Sequence, residues 1–335
     1  MATSIDHFLP PNIADALHGY VRGLSFTYGW RSNQAIGFAH WNHDIAQAGP
    51  SNGLDVSHRI TGPVLDAWNF IREAYMPGHV LLRCYANTHT YGVEGYPHTD
   101  SLREHDATVV VYMNRNWKRE WGGETLIYDG QRIEHAELPA FNRGLIFKGN
   151  QLHCARGVTR ICPDQRLTLM FKCAKIGADQ QRDRLQLLLE KHNAGRYGHT
   201  NGTLANHLLL TYDMLKAAGL PDVVCLAGGA HSVFGTNAFT SVCIDPALRS
   251  EVVACIGEDA TKIVELFSSI DRPSTLTENI GQNGAHLRLT AGGTVEVTQE
   301  QLDALVMIEC ANLSEQGELG GHRKLAQCWK ARGNP

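Results

Sequence analysis

At 335 residues with 43% hydrophobic content, the chain is long enough for two domains, each with its own buried core. Its 30 basic and 34 acidic residues are mixed along the sequence and leave a net charge of only -4, so no basic face points to nucleic acid or to an anionic membrane. No run approaches the roughly 20 apolar residues of a membrane helix, the start of the chain has no basic segment leading into an apolar one, and the nine cysteines form no CxxC pair, so a soluble cytoplasmic protein with reduced thiols is expected.

Residues 1 to 76 read as mostly helical: Pro10 and Pro11 open a helix with Ile13, Leu17 and Val21 on one face, and Ile60 to Met76 forms a second amphipathic helix. From His79 the period changes. HVLLRCY, ATVVVYMN, GETLIY, GLIFKG and LTLMFKC are short β-branched or aromatic runs separated by turn residues, which predicts at least five strands ending near residue 175. The polar stretch that follows, 177–202, reads as a helical linker, and beyond it LANHLLLTYDMLKAAGL, SEVVACIGEDATKIVELFSSI and QEQLDALVMIECANLSEQ restore the helical period. The expected organisation is therefore a β-rich domain over 1–176, a linker over 177–202 and a mainly α-helical domain over 203–335.

Seventeen histidines raise the prospect of a metal or proton-transfer site, and spacing locates one. In GYPHTDS, His98 and Asp100 stand at i and i+2; on a strand these positions share a face, so an imidazole and a carboxylate address one point. His153, which follows the strand GLIFKG, is the candidate third ligand. Two histidines and a carboxylate on one face of an octahedron suit non-haem Fe(II) with open positions for co-substrate and O2. Thirteen residues after His153 comes Arg166 in RLTLMFK, where alternation puts Arg166, Thr168 and Met170 on one face and Leu167, Leu169 and Phe171 on the other. An arginine aimed into a β interior requires an anion. That anion is either a dicarboxylate co-substrate, gripped by the guanidinium with help from Thr168, or an internal carboxylate such as Glu124.

With LLRCYANTHTYGVEGYPHTD, WGGETLIY, GLIFKGNQLHCARGV and RLTLMFK in family order and at family spacing, residues 79–174 resemble the Fe(II)- and 2-oxoglutarate-dependent oxygenases, specifically the prolyl-4-hydroxylase-like branch. The resemblance implies a double-stranded β-helix, or jelly roll, supported by N-terminal helices, with His98, Asp100 and His153 as iron ligands and Arg166 on the distal carboxylate of 2-oxoglutarate. It also places Tyr85 and Thr125 near the co-substrate, although each also fits as a packed strand residue. Halogenating relatives carry a small residue where Asp100 stands, so hydroxylation or another oxidation, with release of succinate and CO2, is implied instead. His89, His105 and His135 read as surface residues or neighbours of the ligands.

The stretch GLSFTYGWRSNQAIGFAHWNHD combines aromatic, Arg, Asn and His side chains suited to a polar small molecule, while Trp30 and Trp41 also fit as packing residues. A polar small-molecule or amino-acid-like substrate is the expectation, with a protein side chain as the alternative. A jelly roll that binds metal or ligand without catalysis is a further alternative.

In the second domain, His199, His207, His231 and a late Asp271 distantly resemble the HD-domain superfamily, which implies a possible second metal centre. In that family an aspartate ligand follows the second histidine, whereas here Ser232 does. Three readings stay open: a metal-free helical domain used for assembly, including a homodimer, or for gating; a mononuclear site; and an active second centre with hydrolase or oxygenase chemistry.

Overall fold

In a computed structural model of the chain, the described residues are 2–32, 37–47, 55–199, 202–282 and 285–333. Positions 33–36 of the candidate substrate-facing stretch and 200–201 of the expected linker lie outside them. The chain divides into a first unit ending at Ala178 and a second beginning at Asp179. None of the described helices is long and apolar enough to cross a membrane.

The first unit runs β1 (Thr3–Ile5), α1 (Pro11–Arg22), β2 (Thr27–Trp30), β3 (His40–Gln47), α2 (Gly62–Ala74), β4 (His79–His89), β5 (Ala107–Tyr112), β6 (Thr125–Asp129), β7 (Arg132–Glu137), β8 (Gly144–Lys148), β9 (His153–Ala155) and β10 (Arg166–Lys175). Ten strands form two antiparallel sheets, one ordered β1-β8-β5-β10-β4-β3-β2 and the other β7-β6-β9, an arrangement in keeping with a jelly roll. The mostly helical expectation for residues 1–76 holds for α1 and α2 alone. β3 was hidden because its sequence, HWNHDIAQ, carries polar residues on both faces, and its strand character comes from pairing with β4. β7 and β9 were missed because one is largely polar and the other only three residues long.

β10 lies between β4 and β5 and organises the unit through its two faces. Leu167, Leu169 and Phe171 join the core that α1 and α2 cover, where the Phe171 ring stacks on Trp68 at 5.9 Å. On the opposite face Met170 packs with Tyr85, Val110, Tyr112, Ile127, Leu145 and Phe147, drawn from strands of both sheets.

The second unit runs α3 (Gln180–Lys191), β11 (Gly198–His199), β12 (Gly202–Thr203), α4 (Leu204–Ala217), α5 (Asp222–Gly228), α6 (Arg249–Ile256), α7 (Glu258–Ser269), α8 (Ser274–Asn279), β13 (Ala285–Arg288), β14 (Thr294–Val297), α9 (Gln299–Glu315) and α10 (Arg323–Lys330). The linker expectation fails at α3. Leu185 and Leu189 are fully buried in this unit's core, and Arg182 grips Asp213 of α4 through two hydrogen bonds of 2.7 and 2.8 Å. Its polar composition misled because charged residues that pair inside a fold look the same in sequence as solvated ones. α9, closed at its start by a capping box between Thr298 and Gln301, runs through the core and is buried along most of its length. α5 ends on Gly228 and Gly229, where an added Cβ would stand 2.1 Å from Leu215 and 2.3 Å from Leu185. The absence of side chains there lets the turn carrying His231 sit directly against α3 and α4.

A comparable close approach occurs in the first unit. A Cβ on Gly144 would lie 2.3 Å from the ring of Phe8, which is fully buried and stacked on Tyr75 at 4.5 Å. With no space for the ring to retreat, Gly144→Ala should destabilise the protein by about 1 to 3 kcal/mol, read as a lower urea midpoint at unchanged slope.

Candidate active site

Two reciprocal backbone hydrogen bonds build this site: His98 N–H donates to the His153 carbonyl at 3.0 Å, and His153 N–H donates to the His98 carbonyl at 2.9 Å. This isolated bridge replaces the regular strand expected around His98 and joins the GYPHTDS segment to β9, which is itself paired with β6. It sets the two imidazoles 4.4 Å apart between centroids.

The ring nitrogens are already sorted. His98 Nδ1 lies 2.8 Å from the Tyr96 carbonyl and His153 Nδ1 lies 2.9 Å from that of Gln151; a carbonyl only accepts, so each Nδ1 carries the hydrogen. Both Nε2 lone pairs then face Asp100, at 3.4 Å to Oδ1 from His98 and 3.3 Å to Oδ2 from His153. Three acceptors converge with their ligand atoms within 4.8 Å of one another. That donor set, two neutral imidazoles held by backbone carbonyls and one carboxylate, fits a divalent transition metal.

The Asp100 carboxylate also accepts from Thr108 Oγ1 at 2.6 Å and is in contact with the Lys172 ammonium. Burial alone would push the Asp100 carboxyl up, but the Lys172 ammonium outweighs it and holds the group well below the usual carboxylate range. Lys172 was not anticipated. Extending the alternation of β10 two residues past Met170 would have found it, since Arg166, Thr168, Met170 and Lys172 all line the same cavity of about 390 Å³.

At another part of this cavity Arg166 is only 2% exposed. Its Nε donates to the Gly123 carbonyl at 2.7 Å, one Nη donates to Thr125 Oγ1 at 2.8 Å, and the other stands 3.5 Å from Thr168 Oγ1. Tyr112, whose ring centroid is 5.4 Å from the guanidinium carbon, shares Thr125 through a 2.6 Å hydrogen bond. All these partners are neutral. Among the described residues no carboxylate, Glu124 included, lies within ion-pair distance of Arg166. Burial accordingly draws its pKa down from the ordinary value.

Tyr85 lines the cavity beside Lys172, and Thr125 stands in the same wall; Trp30, Arg31 and Ser32 lie elsewhere along it. Trp41, by contrast, pairs its ring with Tyr28 at 5.1 Å and is not part of the lining. His89 is neither at the surface nor a ligand. It is 1% exposed, stacks on His40 at 5.1 Å, has no hydrogen-bond partner for either ring nitrogen, and lines the cavity together with His40. His105 is exposed, and His135 bonds Ser4 and Glu137 away from the cavity.

In the second unit the structure brings His199, His207 and His231 together but not Asp271, whose carboxylate faces Arg288, Ser274 and Asn237. The carboxylate beside these histidines is Glu315, supplied by α9, a helix too distant in sequence for spacing to reveal.

Residues 83–171 match the family model of the 2OG-Fe(II) oxygenase superfamily, and residues 188–272 match a domain of unknown function, DUF6817. No curated protein matches the sequence. Similar solved structures include an oxidoreductase of the 2OG-Fe(II) oxygenase family from Burkholderia pseudomallei, with 12% identity, 52% of this chain and 85% of that chain covered, and a TM-score of 0.42. A prolyl-4-hydroxylase from Pseudomonas putida gives 17% identity, coverages of 51% and 91%, and a TM-score of 0.38. HygX from Streptomyces hygroscopicus, solved with nickel and 2-oxoglutarate bound, gives 11%, coverages of 52% and 83%, and 0.37. Over residues 83–171 the first unit is therefore similar to the 2OG-Fe(II) oxygenase superfamily, a family that uses Fe(II), 2-oxoglutarate and O2.

The buried histidines make acid stability a test of the cavity wall. Burial, reinforced by His98 and Arg166 nearby, pulls the His40 imidazole down to about 4. The folded protein keeps it neutral to that pH, while the unfolded chain takes up its proton near 6.5, so this stabilisation is complete above 6.5 and is lost as pH falls toward 4. In metal-free protein, His40→Gln should remove about 2 kcal/mol of the fall in unfolding free energy between pH 7.5 and pH 5. Urea titrations at the two pH values measure it.

Proposed function

We propose that the first unit is a dioxygenase that hydroxylates, or otherwise oxidises, an unactivated C–H bond of a polar small molecule or amino-acid-like substrate, with conversion of 2-oxoglutarate to succinate and CO2. The observation that carries this reading is Arg166: a buried guanidinium, held by neutral acceptors, faces the same cavity as a convergent His98, Asp100 and His153. A buried cation without a counter-ion is several kcal/mol unfavourable, and a carboxylate entering the cavity relieves it.

In this reading Nε2 of His98, Nε2 of His153 and a carboxylate oxygen of Asp100 hold Fe(II), which with 2-oxoglutarate and O2 supplies the oxidising chemistry. Arg166 pairs with the distal carboxylate of 2-oxoglutarate, and Thr125 and Thr168 steer the guanidinium by accepting its hydrogens. The Tyr96 and Gln151 carbonyls keep both imidazoles in the tautomer that presents Nε2. Lys172 pairs with Asp100 and keeps its ammonium beside the Tyr85 ring, so it would compete with a divalent cation for that carboxylate. A cavity of about 390 Å³ lies at the small end of the range for small-molecule sites, which supports a compact substrate.

Anaerobic protein given Fe(II) and 2-oxoglutarate should show the weak visible absorption of that chelate, and His98→Ala should abolish it. An unchanged band in His98→Ala would sink the ligand assignment. Arg166→Ala, which removes a charge-assisted pair, should raise the 2-oxoglutarate concentration at half-saturation by roughly tenfold to a hundredfold. Iron-dependent succinate release across a panel of amino acids and amino sugars then identifies the substrate class.

A further inference from the structure

The cavity that holds His98, Asp100 and His153 is more basic than one co-substrate requires. Arg31, Arg83, Arg166 and Lys172 line it, and among the described residues Asp100 is the one carboxylate in its wall. Lys172 is already paired with Asp100. A divalent metal and a doubly charged co-substrate cancel one another, so filling those two positions leaves the positive excess in place. A cleft lined by one sign of charge concentrates ligands of the other.

Arg83 gives that excess a definite place. It lies on β4, whose residues pair across to β10 as His89 with Arg166, Asn87 with Thr168, Tyr85 with Met170 and Arg83 with Lys172. Arg83 and Arg166 therefore stand at opposite ends of one wall, roughly 20 Å apart along the ladder. A short dicarboxylate anchored on Arg166 leaves Arg83 to a second ligand.

Two aromatic rings hold the Arg83 guanidinium. Its central carbon is 4.2 Å from the ring centroid of Trp30, on β2, and 4.4 Å from that of Tyr85. Rings against a guanidinium cover its faces and leave its hydrogens, which lie in its plane, to be met edge-on. One Nη donates to Asp44, on β3, a carboxylate outside the cavity lining. Nε is buried and has no hydrogen-bond partner. A tie between β3 and β4 needs only the Asp44 contact; it accounts for neither the aromatic cover nor the buried, unpartnered donor.

We propose that the molecule oxidised by the first unit is a compact anion, whose carboxylate or phosphate docks on the Nε edge of Arg83 beside Trp30 and Tyr85. This rests on the oxygenase reading above and narrows it: Arg166 anchors the co-substrate, and Arg83 anchors the substrate. The pairing is charge-assisted and can be bidentate. Since Lys172, the cross-strand neighbour of Arg83, touches Asp100, an anion seated there lies alongside the candidate metal ligands. Arg31 adds further positive charge to the same lining. Amines and uncharged sugars find no counterpart for Arg83 and are disfavoured.

Binding and turnover are measured separately. Metal-free Arg166→Ala protein, which lacks the co-substrate's anchor, is titrated with amino acids and their amides and with sugars and their phosphates. Tryptophan fluorescence is the readout, because Trp30 lies against the guanidinium. At least one acid or phosphate should give a saturable change, with its amide or unphosphorylated form at least about tenfold weaker; which series responds identifies the anion. Adding Arg83→Gln should weaken that binding at least about tenfold, and Arg83→Lys, which keeps the charge without the fork, should weaken it less. In otherwise wild-type protein with iron, Arg83→Gln should raise the half-saturation of the same anion for succinate release by a similar factor and leave that of 2-oxoglutarate within about twofold. Far-UV circular dichroism establishes folding, and Arg83→Lys decides the matter if Arg83→Gln is unfolded. Neutral members binding as well as anions, no saturable binding of any anion, or a folded Arg83→Gln that changes nothing would overturn the proposal. So would an Arg83→Gln that shifts 2-oxoglutarate and the anion alike. Failure of wild-type protein to form the iron–2-oxoglutarate absorption, with anion binding at Arg83 intact, would instead sink the oxygenase reading and leave the anion site standing.

Discussion

The buried charge of Arg166 is the constraint around which the first unit is arranged. A guanidinium stripped of water, donating to Gly123, Thr125 and Thr168 but to no carboxylate, is tolerable only where something anionic can reach it. β10 puts it there. Because β10 lies between β4 and β5, its alternation is rigid: Leu167, Leu169 and Phe171 are committed to the helix-covered core, so Arg166, Thr168, Met170 and Lys172 have the cavity as their only direction. A slip of one residue would exchange the two sets and bury two cations among apolar side chains.

Both metal-type clusters follow one physical rule, although one is built on strands and the other on helices. Backbone carbonyls accept from Nδ1 of His98, His153 and His231, while a carboxylate does so for His207. Each ring is thereby locked in one tautomer with Nε2 presented inward. The difference lies in charge. Asp100 puts a carboxylate directly among the first set of lone pairs and meets Lys172, whereas Glu315 stands behind His207. The first cluster therefore has its carboxylate facing both Nε2 atoms, while the second has its carboxylate on the far side of one ring.

Several features were legible because they depend on local periodicity. The strands from His79 to Lys175 announce themselves by β-branched runs, and the burial of Leu167, Leu169 and Phe171 against the exposure of Arg166 and Thr168 to the cavity follows from alternation alone. Others were not. β3 is a strand because β4 pairs with it, and α3 belongs to a core because Asp213 of α4 neutralises Arg182. Neither partner is near in sequence. His40 and His89 illustrate the same limit: two polar residues of loop-like character become a stacked, buried, neutral pair once β3 and β4 are aligned.

By itself the sequence determined the residue types and spacings that make chemistry possible: His98 and Asp100 two apart, Arg166 on the polar face of a strand, His207 on a helix with an apolar face. Those are short-range properties set by the 2.0 and 3.6 residue periods. Tertiary structure alone decided which groups meet. The backbone bridge between His98 and His153 brought the third imidazole to the pair, Lys172 arrived beside Asp100, and α9 delivered Glu315 rather than Asp271 to the histidines of the helical unit. Long-range contacts depend on loop closure and core packing over the whole unit, and no local pattern records where a distant strand or helix will stop.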